Sequence, residues 1–300
     1  MASSKQSVLI TGCSKGSAGH ALALEFASRG MRVFATARSL GSLAGLEDKG
    51  IETLMLDVTS ADSIAALKVD VAARTGGKLD MLFNNAGMMY EAPGIETDIS
   101  RVRQMFETNV FGLFNMVQAF TPLLLAAVSD SSRPPVVINT ASVLAVVPYP
   151  FSSAYNASKA AVASYSDALR VELAPLGIKV VTLYMGVVST GLSSPGDIKF
   201  DEDSIYAAAE AGVKKRSKDH QAGGMKPDLF AKQVINEVLK KRGIAQGEYV
   251  WKGTNAFLVW LLNAVGGRKS FDGSNAKEIS FDEKVKQAIS ERGHAFVQKR

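Results

Sequence analysis

A tyrosine and a lysine stand four residues apart in the stretch SAYNASKAAVASYSDALRVELAPLG, at Tyr155 and Lys159. The apolar residues of this stretch recur at helical spacing, and side chains four apart on a helix lie on the same face. An ammonium group beside a phenol favours the phenolate and lowers the tyrosine pKa from about 10 toward neutrality. The pair therefore predicts a tyrosine that exchanges a proton with the oxygen of a bound molecule.

Two more polar residues belong to neighbouring elements. Ser142 ends the stretch VVINTAS, thirteen residues before Tyr155, and Asn109 lies in the long helical stretch ISRVRQMFETNVFGLFNMVQAFTPLLLAAV. VVINTAS is apolar on both faces, as a strand of a buried parallel sheet is. Ligands bind at the carboxyl ends of such strands, so the Ser142 hydroxyl is predicted to orient a carbonyl group.

A glycine-rich turn follows the first predicted strand. The stretch TGCSKGSAGH, residues 11–20, joins the strand SVLIT to a helical pattern that begins near Ala18. Glycines let a backbone approach phosphates or adopt positive φ, and the N-terminus of a helix attracts anions. The turn therefore predicts a pyrophosphate site in the first strand-to-helix connection of a dinucleotide-binding fold.

The end of the second predicted strand indicates which dinucleotide binds. NAD-selective sites carry an acidic residue there, whereas this chain reads RVFATARSL and presents Arg38. A guanidinium suits the additional 2′-phosphate of NADP, and Lys15 in the glycine turn adds a second positive charge. We therefore expect NADP(H) as the cofactor.

Strands and helices alternate along the chain in an order that brings these residues together. The predicted strands, with helical patterns between most of them, are SVLIT, RVFATA, ETLMLDV, LDMLFNNAG, PVVINTAS, KVVTLYMG and GEYVW. This alternation predicts an α/β fold with a single doubly wound Rossmann-type parallel sheet and helices on both faces.

One large domain and a tail are expected. Residues 1–265 are predicted to form a Rossmann-type NADP-binding catalytic domain, in which the polar stretch 187–226 is a substrate lid with a helix at about residues 203–214. Long polar insertions in compact folds are usually lids or binding loops. Residues 266–300 are predicted to be a polar C-terminal extension, either a docking helix or a disordered tail. Its apolar residues near helical spacing are Phe281, Val285, Ile289 and Phe296.

The composition excludes several classes of site. The 300 residues are 47% hydrophobic, which is enough for a sizeable core. The single cysteine, Cys13, and the scattered His20, His220 and His294 cannot form a disulfide framework or a zinc site, so no metal is expected. A net charge of +5 does not indicate nucleic-acid binding. The start, MASSKQ, has no secretory pattern, so we expect an intracellular, cytoplasmic location.

Taken together, the motifs resemble the short-chain dehydrogenase/reductase family. TGCSKGSAG matches the family's glycine turn TGxxxGxG with one extra residue, Ser17, and LDVTS, NNAG, TNVFG and YNASK follow in the family's order. The motifs cover residues 7–190, and the pattern of elements extends the match to about residue 265. One position departs, because Met185 stands before Gly186 where the family usually has proline.

The resemblance implies a role for each matching position. The expected catalytic residues are Asn109, Ser142, Tyr155 and Lys159, with Lys159 also holding the nicotinamide ribose and Asn109 supporting a water-linked proton path. The expected cofactor-binding residues are Gly12, Ser14, Lys15, Gly16, Gly19, His20, Arg38, Asp57, Val58, Asn85, Ala86, Gly87, Tyr155, Lys159, Gly186, Val188 and Thr190.

Several longer stretches, including VVPYPFSSAYNASKAAV and SYSDALRVELAPLGIKVVT, resemble fungal NADPH-dependent 1-acyldihydroxyacetone phosphate reductases. Those enzymes are similar to the 17β-hydroxysteroid dehydrogenase branch. The resemblance implies an NADPH-dependent ketoreductase of a hydrophobic small-molecule substrate, with Tyr155 as the general acid. Because the chain turns polar after Gly266, where membrane-active relatives have a longer apolar C-terminus, we expect a substrate of fungal secondary metabolism. Two other activities stay open: 1-acyldihydroxyacetone phosphate reduction in glycerolipid synthesis, and a 17β-hydroxysteroid dehydrogenase-like reaction. A non-catalytic NADPH-binding protein is a remote alternative.

Three stretches bear on the substrate and on partners. VLAVVPYPF and MMY are expected to line an apolar pocket, and GVKKRSK is either a phosphate contact or a solvated helix face. The eleven residues NAFLVWLLNAV are too short to span a bilayer of about 30 Å. We expect them to be buried in the fold; a pocket cover, an oligomer contact, or contact with an endoplasmic reticulum or lipid-droplet surface are alternatives. The resemblance also implies a homodimer or homotetramer.

Overall fold

Seven strands form the centre of the fold, which we describe from a computed structural model for residues 5–129, 133–240 and 248–298. The strands are β1 (Ser7–Ile10), β2 (Arg32–Ala37), β3 (Glu52–Met55), β4 (Met81–Asn84), β5 (Val136–Ser142), β6 (Lys179–Met185) and β7 (Glu248–Lys252). They form one parallel sheet in the order β3-β2-β1-β4-β5-β6-β7. This confirms the predicted single, doubly wound sheet. The predicted strand GEYVW begins at residue 247, outside the described residues.

Ten α-helices accompany these strands in the described part of the chain. They are α1 (Ala18–Ser28), α2 (Ala61–Thr75), α3 (Ile99–Phe106), α4 (Gly112–Ala127), α5 (Ser153–Leu173), α6 (Glu210–Gly223), α7 (Pro227–Val238), α8 (Ala256–Val265), α9 (Asp272–Glu278) and α10 (Glu283–Gln298).

The sheet is covered on both faces, as predicted. Helices α1 and α7 pack on one face, where Phe26 and Phe230 are fully buried. Helices α2, α4 and α5 cover the other face, where Met116 and Val162 are fully buried. Burial of large apolar side chains on both faces stabilises a parallel sheet and explains why its strands read as continuous apolar runs.

The strand order reverses at β1, and this reversal sets the position of the site. From β1 the chain runs outward to β2 and β3 on one side, and β4 lies against β1 on the other. Dinucleotides bind in the crevice at the carboxyl ends of strands where the order reverses. The glycine turn follows β1 and the NNAG motif follows β4, so both lie at this crevice.

Helices α3 and α4 form one continuous segment, Ile99–Ala127, with a π-helical turn at Glu107–Phe111 that contains Asn109. By length and composition alone this segment could cross a membrane, and about half of its most apolar window is buried. It packs against β4, β5 and α2 as a helix of the core does. π-helical turns occur frequently at functional sites because they change the direction of the side chains that follow.

The predicted lid helix lies later in the chain than expected. We predicted it at about residues 203–214, whereas α6 spans Glu210–Gly223. The Ser204 hydroxyl and the Ile205 N–H both donate to the Glu96 carboxylate, at 2.5 and 3.0 Å. These bonds anchor residues 204 and 205 to another loop, so the helix begins only after them.

Helix α8, within the stretch NAFLVWLLNAV, is largely exposed, so the expectation of burial was wrong. Ala256 and Val259 are its buried residues, whereas Phe257 and Val265 are 70% and 76% exposed. The inner side of α8 covers a cavity described below, which was one of the alternatives. Sequence hydrophobicity indicated burial but could not predict that one face of this helix has no neighbour within the described chain.

The C-terminal residues pack on the lid. Phe281, Val285 and Ile289 lie against a cluster that contains Phe151 and Ile198. The stretch forms helices α9 and α10. Of the two predicted forms, a docking helix and a disordered tail, the structure has the helical one. The domain boundary at residue 265 stays a prediction, although residues beyond it contribute to the site.

Candidate active site

Two adjoining cavities open at the carboxyl end of the sheet. A cleft of about 750 Å³, the cofactor cleft, is lined by the glycine turn, the ends of β2 and β3, the NNAG motif and Lys159. A second cavity of about 270 Å³, the substrate cavity, lies beneath α6, α8 and α9. Tyr155, Met185, Thr190 and Leu192 line both cavities. Tyr155 therefore lies where two bound molecules would meet.

The glycine turn is intact despite its extra residue. Gly12 and Gly16 have φ values of +74° and +81°, which favour glycine. The Ser17 hydroxyl donates to the Gly12 carbonyl and accepts from the His20 N–H, both at 3.1 Å, so the added residue is the N-cap of α1. A Cβ on Gly19 would lie 2.3 Å from the Gly12 oxygen. Gly19 thus lets the helix meet the turn.

The NNAG motif holds this turn in place. The Asn85 amide donates to the carbonyls of Thr11 and Gly12, at 2.9 and 3.1 Å. The Thr11 hydroxyl accepts from the N–H groups of Asn85 and Ala86, both at 2.9 Å. Asn85 lines the cofactor cleft, but its side-chain amide positions the turn.

Basic and acidic residues share the corner of the cleft beyond the glycine turn. Lys15, Arg38 and Asp57 all line it. The Asp57 carboxylate accepts two hydrogen bonds from Thr59, at 2.7 and 2.9 Å. These bonds, assisted by the charge of Arg38, lower the pKa of Asp57. The two cations are therefore placed where an anionic group at this end of the cleft would contact them.

Ser142, Tyr155 and Lys159 come together at the ends of β5 and α5. Tyr155 is 6% exposed and lines the substrate cavity together with Ser142. Ser142 is itself fixed, because its hydroxyl donates to the Met185 carbonyl at 3.3 Å and accepts from the Leu144 N–H at 3.1 Å. The Lys159 ammonium donates to the Thr140 carbonyl at 2.8 Å and lies 5.7 Å from the centre of the Tyr155 ring.

In the protein alone the pKa of Tyr155 shifts upward, whereas the lowering was predicted for Lys159 acting together with the positive nicotinamide of an oxidised cofactor. Burial raises this pKa, the Ser142 side chain opposes the rise and the nearby charge of Glu91 adds to it. Lys159 is not among the influences on this pKa, and burial lowers the pKa of its own ammonium to about 8. In the protein alone Tyr155 therefore keeps its proton, as a proton donor requires.

Asn109 is a positioning residue in this geometry. Its side-chain oxygen accepts from the Met88 N–H at 2.8 Å, and its amide donates to the Met88 carbonyl and the Ser158 hydroxyl, at 2.9 and 3.1 Å. It thus ties the loop after NNAG to α5. Asn109 lies outside the described lining of both cavities.

Four predicted cofactor residues lie outside the cofactor cleft in the described structure. Gly186 and Val188 line the substrate cavity instead, and Gly19 and His20 line neither cavity in the described chain. The His20 Nδ1 atom is buried without a hydrogen-bond partner in the described residues. A Cβ on Gly186 would lie 2.4 Å from the Thr254 oxygen, so this glycine is required by the chain's own packing. The remaining predicted contacts, Gly12, Ser14, Lys15, Gly16, Arg38, Asp57, Val58, Asn85, Ala86, Gly87, Tyr155, Lys159 and Thr190, line the cleft.

The wall of the substrate cavity is mostly apolar. The predicted stretches supply Met89, Val143, Leu144, Val147 and Tyr149, and α8 adds Leu258, Val259 and Leu262. Such walls suit apolar small molecules. Tyr90, which was also expected in the pocket, packs in a separate buried cluster with Met105.

Sequence reasoning missed Glu91, His220 and Glu278 as residues of this cavity, and it included Arg216 only within GVKKRSK, predicted as either a phosphate contact or a solvated helix face. Glu91, Arg216, His220 and Glu278 all line it, and the Tyr149 hydroxyl lies within 3.3 Å of both His220 and Glu278. A weak signal existed for two of them. Glu91 directly follows the MMY stretch, and Arg216 lies three residues after the buried Val213 on α6.

The cofactor cleft fits a dinucleotide. Its glycine turn presents Gly16 with room for a phosphate, because within the described chain a Cβ there meets no atom within 4 Å. The buried Thr140 hydroxyl, which lines the cleft near Lys159, has no hydrogen-bond partner in the described residues and is free to accept one. Lys159 and Tyr155 lie at the opposite end from Arg38, as the two ends of an extended ligand require.

Comparisons with known proteins agree with this geometry. The family profile described as short chain dehydrogenase matches residues 6–199. A short-chain dehydrogenase of Neurospora crassa is 36% identical over 265 residues, 88% of each chain. An NADPH-dependent 1-acyldihydroxyacetone phosphate reductase of Schizosaccharomyces pombe is 41% identical over 204 residues, 66% of this chain and 67% of that protein. A solved short-chain dehydrogenase from Streptomyces avermitilis has a TM-score of 0.73 at 28% identity, covering 94% of this chain and 100% of its own.

Proposed function

Because this chain belongs to the short-chain dehydrogenase family, we propose that it is an NADPH-dependent ketoreductase of a hydrophobic ketone. The observation that carries the proposal is the position of Tyr155, which is buried, lines the same cavity as Ser142 and is shared by the cofactor cleft and that apolar cavity. The Neurospora and Schizosaccharomyces relatives are fungal, and this supports a role in fungal metabolism. Assignment to secondary metabolism and a cytoplasmic location stay predictions.

NADPH, when bound, supplies the hydride that adds to the carbonyl carbon. As the C=O double bond becomes a single bond, the carbonyl oxygen gains negative charge and takes the proton of the Tyr155 hydroxyl, which gives the alcohol. The Ser142 hydroxyl lines the same cavity and can donate to this oxygen when its hydrogen turns away from the Met185 carbonyl. Charged Lys159 stabilises the phenolate that Tyr155 becomes. Asn109 keeps the loop beside Lys159 in position.

Replacement of the proton donor tests this role. Tyr155→Phe is expected to lower kcat for NADPH oxidation by about 10²–10⁴-fold, the usual contribution of general acid catalysis. NADPH affinity, measured by fluorescence titration, is expected to stay within a factor of a few. Tyr165→Phe, which alters a tyrosine stacked on Phe114, is the matched control. Full turnover by Tyr155→Phe would exclude Tyr155 as the acid.

The preference for NADPH is a separate part of the proposal, supported by Lys15 and Arg38 at one corner of the cleft. The double variant Lys15→Ala, Arg38→Asp removes two cations and adds a carboxylate. Each charged hydrogen bond contributes about 1.5–3 kcal/mol, so we expect the NADPH to NADH preference to fall by roughly 10–100-fold or more. Lys232→Ala, on the exposed side of α7, is the control. An unchanged ratio of kcat/KM values for the two cofactors would refute the assignment.

A second candidate function is 1-acyldihydroxyacetone phosphate reduction. It is favoured by the 41% identity to the Schizosaccharomyces enzyme over 204 residues. A panel of 1-acyldihydroxyacetone phosphate, ketosteroids and polycyclic ketones, followed by NADPH oxidation, separates the candidates. Turnover of neutral ketones without turnover of the phosphate ester would exclude the second candidate, and the reverse result would favour it.

A further inference from the structure

An ion pair lies in the wall of the substrate cavity. The Arg216 guanidinium donates to the Glu91 carboxylate at 2.5 Å, and their side chains are 2% and 5% exposed. Arg216 also donates to the Pro150 carbonyl at 3.0 Å, and its guanidinium lies 4.1 Å from the centre of the Tyr149 ring. The guanidinium is therefore neutralised on one side and covered by an aromatic face.

Arg216 is the one lysine or arginine among the described residues that line this cavity. The preceding basic residues of α6 are engaged elsewhere, since Lys214 pairs with Glu210 and Lys215 with Asp219 along the helix. The cavity also contains the Glu278 carboxylate beside His220. An anionic group that enters thus meets two carboxylates and a single cation that is already paired.

We infer that Glu91 sets the charge preference of the substrate cavity: by neutralising Arg216 it makes the cavity select uncharged ketones and reject phosphorylated or carboxylated ones. A buried charge is tolerated only with a partner, so a substrate anion would have to displace Glu91 and leave that carboxylate buried and unpaired. An uncharged ketone leaves the pair intact. This inference rests on the proposed ketoreductase function and narrows its substrate class.

Glu91 also joins the loop after β4 to the lid. Its second oxygen accepts from the Ser193 hydroxyl at 2.6 Å, and its first also accepts from Ser152 at 3.3 Å. A variant must therefore separate the charge of Glu91 from its contribution to the order of the lid. Glu91→Gln removes the charge and keeps a side-chain oxygen that can accept from Arg216 or Ser193.

The experiment compares two ketones that differ by one phosphate, 1-decanoyldihydroxyacetone and its 3-phosphate, through kcat/KM for NADPH oxidation. The wild-type protein is expected to prefer the uncharged ketone by at least about tenfold. In Glu91→Gln the positive charge of Arg216 has no negative partner. The ratio of the two kcat/KM values is therefore expected to shift toward the phosphate by at least about tenfold. A wild-type preference for the phosphate, or an unchanged ratio in Glu91→Gln, overturns the inference.

Glu96→Gln is the matched control. Glu96 belongs to the same loop and also accepts bonds from the lid, from Ser204 and Ile205, but it lies outside the described lining of the cavity. It is expected to leave the charge preference unchanged. The double variant Glu91→Leu, Arg216→Met removes the pair without leaving a charge, and it should keep the preference for the uncharged ketone. An equal shift in Glu96→Gln would show that lid order alone sets the preference and would overturn the inference.

A binding measurement separates failure of the inference from failure of the proposed function. Isothermal titration of the NADP⁺-loaded protein with octyl phosphate and with 1-octanol requires no turnover. Octyl phosphate is expected to bind Glu91→Gln at least about tenfold more tightly than the wild type, with 1-octanol unchanged. If no ketone in the panel oxidises NADPH, the proposed function is wrong. Equal affinities of the wild type and Glu91→Gln for octyl phosphate would overturn the inferred charge preference, whatever the outcome of the ketone panel.

Discussion

In the proposed reaction, Lys159 is a buried cation that must be charged to assist Tyr155. Burial lowers its pKa to about 8 from 10.5, so the charged form is complete well below pH 8 and is lost as the pH rises through that value. Ketone reduction is therefore expected to have a kcat/KM that is level below about pH 7.5 and falls by up to tenfold per pH unit above about pH 8. The pH profile of NADPH oxidation between pH 6 and 10 measures this limb. A level profile up to pH 10, with circular dichroism showing that the protein stays folded, would contradict this role of Lys159.

Cys13 gives a simpler test at the same scale. It is fully buried within the glycine turn, and burial raises the pKa of its thiol to about 12. Because the thiolate is the reactive form, the folded protein is expected to react with an aromatic disulfide reagent at pH 8 at least about a hundredfold more slowly than the protein in guanidinium chloride. Equal rates in the two conditions would show that the glycine turn opens readily.

Among the site residues, the sequence predicted those whose partners lie close to them along the chain. Tyr155 and Lys159 are four residues apart on one helix, and Ser142 ends the strand that precedes it. Glu91 and Arg216, in contrast, are separated by 125 residues. Nothing in either local pattern specifies that the two side chains meet, because their contact depends on how the lid folds over the sheet.

At the scale of elements, the glycine turn combines two different requirements for glycine. A Cβ on Gly19 would meet the Gly12 oxygen at 2.3 Å, whereas one on Gly16 has space but requires a φ of +81°. We expect Gly19→Ala to separate α1 from the turn, lowering the melting temperature and reducing NADPH affinity by at least about tenfold. Gly16→Ala is expected to lower the free energy of unfolding only by the conformational strain of a positive φ, roughly 1–2 kcal/mol. Thermal melts and NADPH titrations of both variants provide the measurement, and a milder effect for Gly19→Ala than for Gly16→Ala would contradict this geometry.

Predictions of elements succeeded where periodicity and burial agree. The strands of the sheet and α5 are buried on the faces that their sequences mark as apolar, so their order and type followed from the pattern. The lid helix α6 is highly charged, and Val213, Arg216 and Ser217 are its buried residues, so its start could not be located from hydrophobicity. The prediction that helix α8 is buried failed for the opposite reason, because apolar residues such as Phe257 lie on its exposed face.

For the whole molecule, the two cavities draw on different parts of the chain. The described lining of the cofactor cleft comes from residues 12–192, whereas the substrate cavity also requires α6, α8 and α9 up to Glu278. The family profile ends at residue 199, before these helices begin. The cofactor cleft is therefore formed by the part of the chain that matches the family profile, whereas the substrate cavity is shared between that part and the helices that follow it.

This difference between the cavities predicts that a substitution at the contact between the lid and the C-terminal segment weakens ketone binding and leaves NADPH affinity unchanged. Gly212 of α6 lies against Ile279, and a Cβ there would lie 1.8 Å from the Ile279 oxygen. Gly212→Ala is expected to displace α6 from this segment and to raise the KM for the ketone by at least about tenfold, with NADPH affinity unchanged. Gly223→Ala, on the same helix, meets no described atom within 4 Å and should leave both values unchanged. Steady-state kinetics and NADPH titration test both variants. Equal loss of NADPH and ketone affinity in Gly212→Ala would mean that the lid and the cofactor cleft form a single unit.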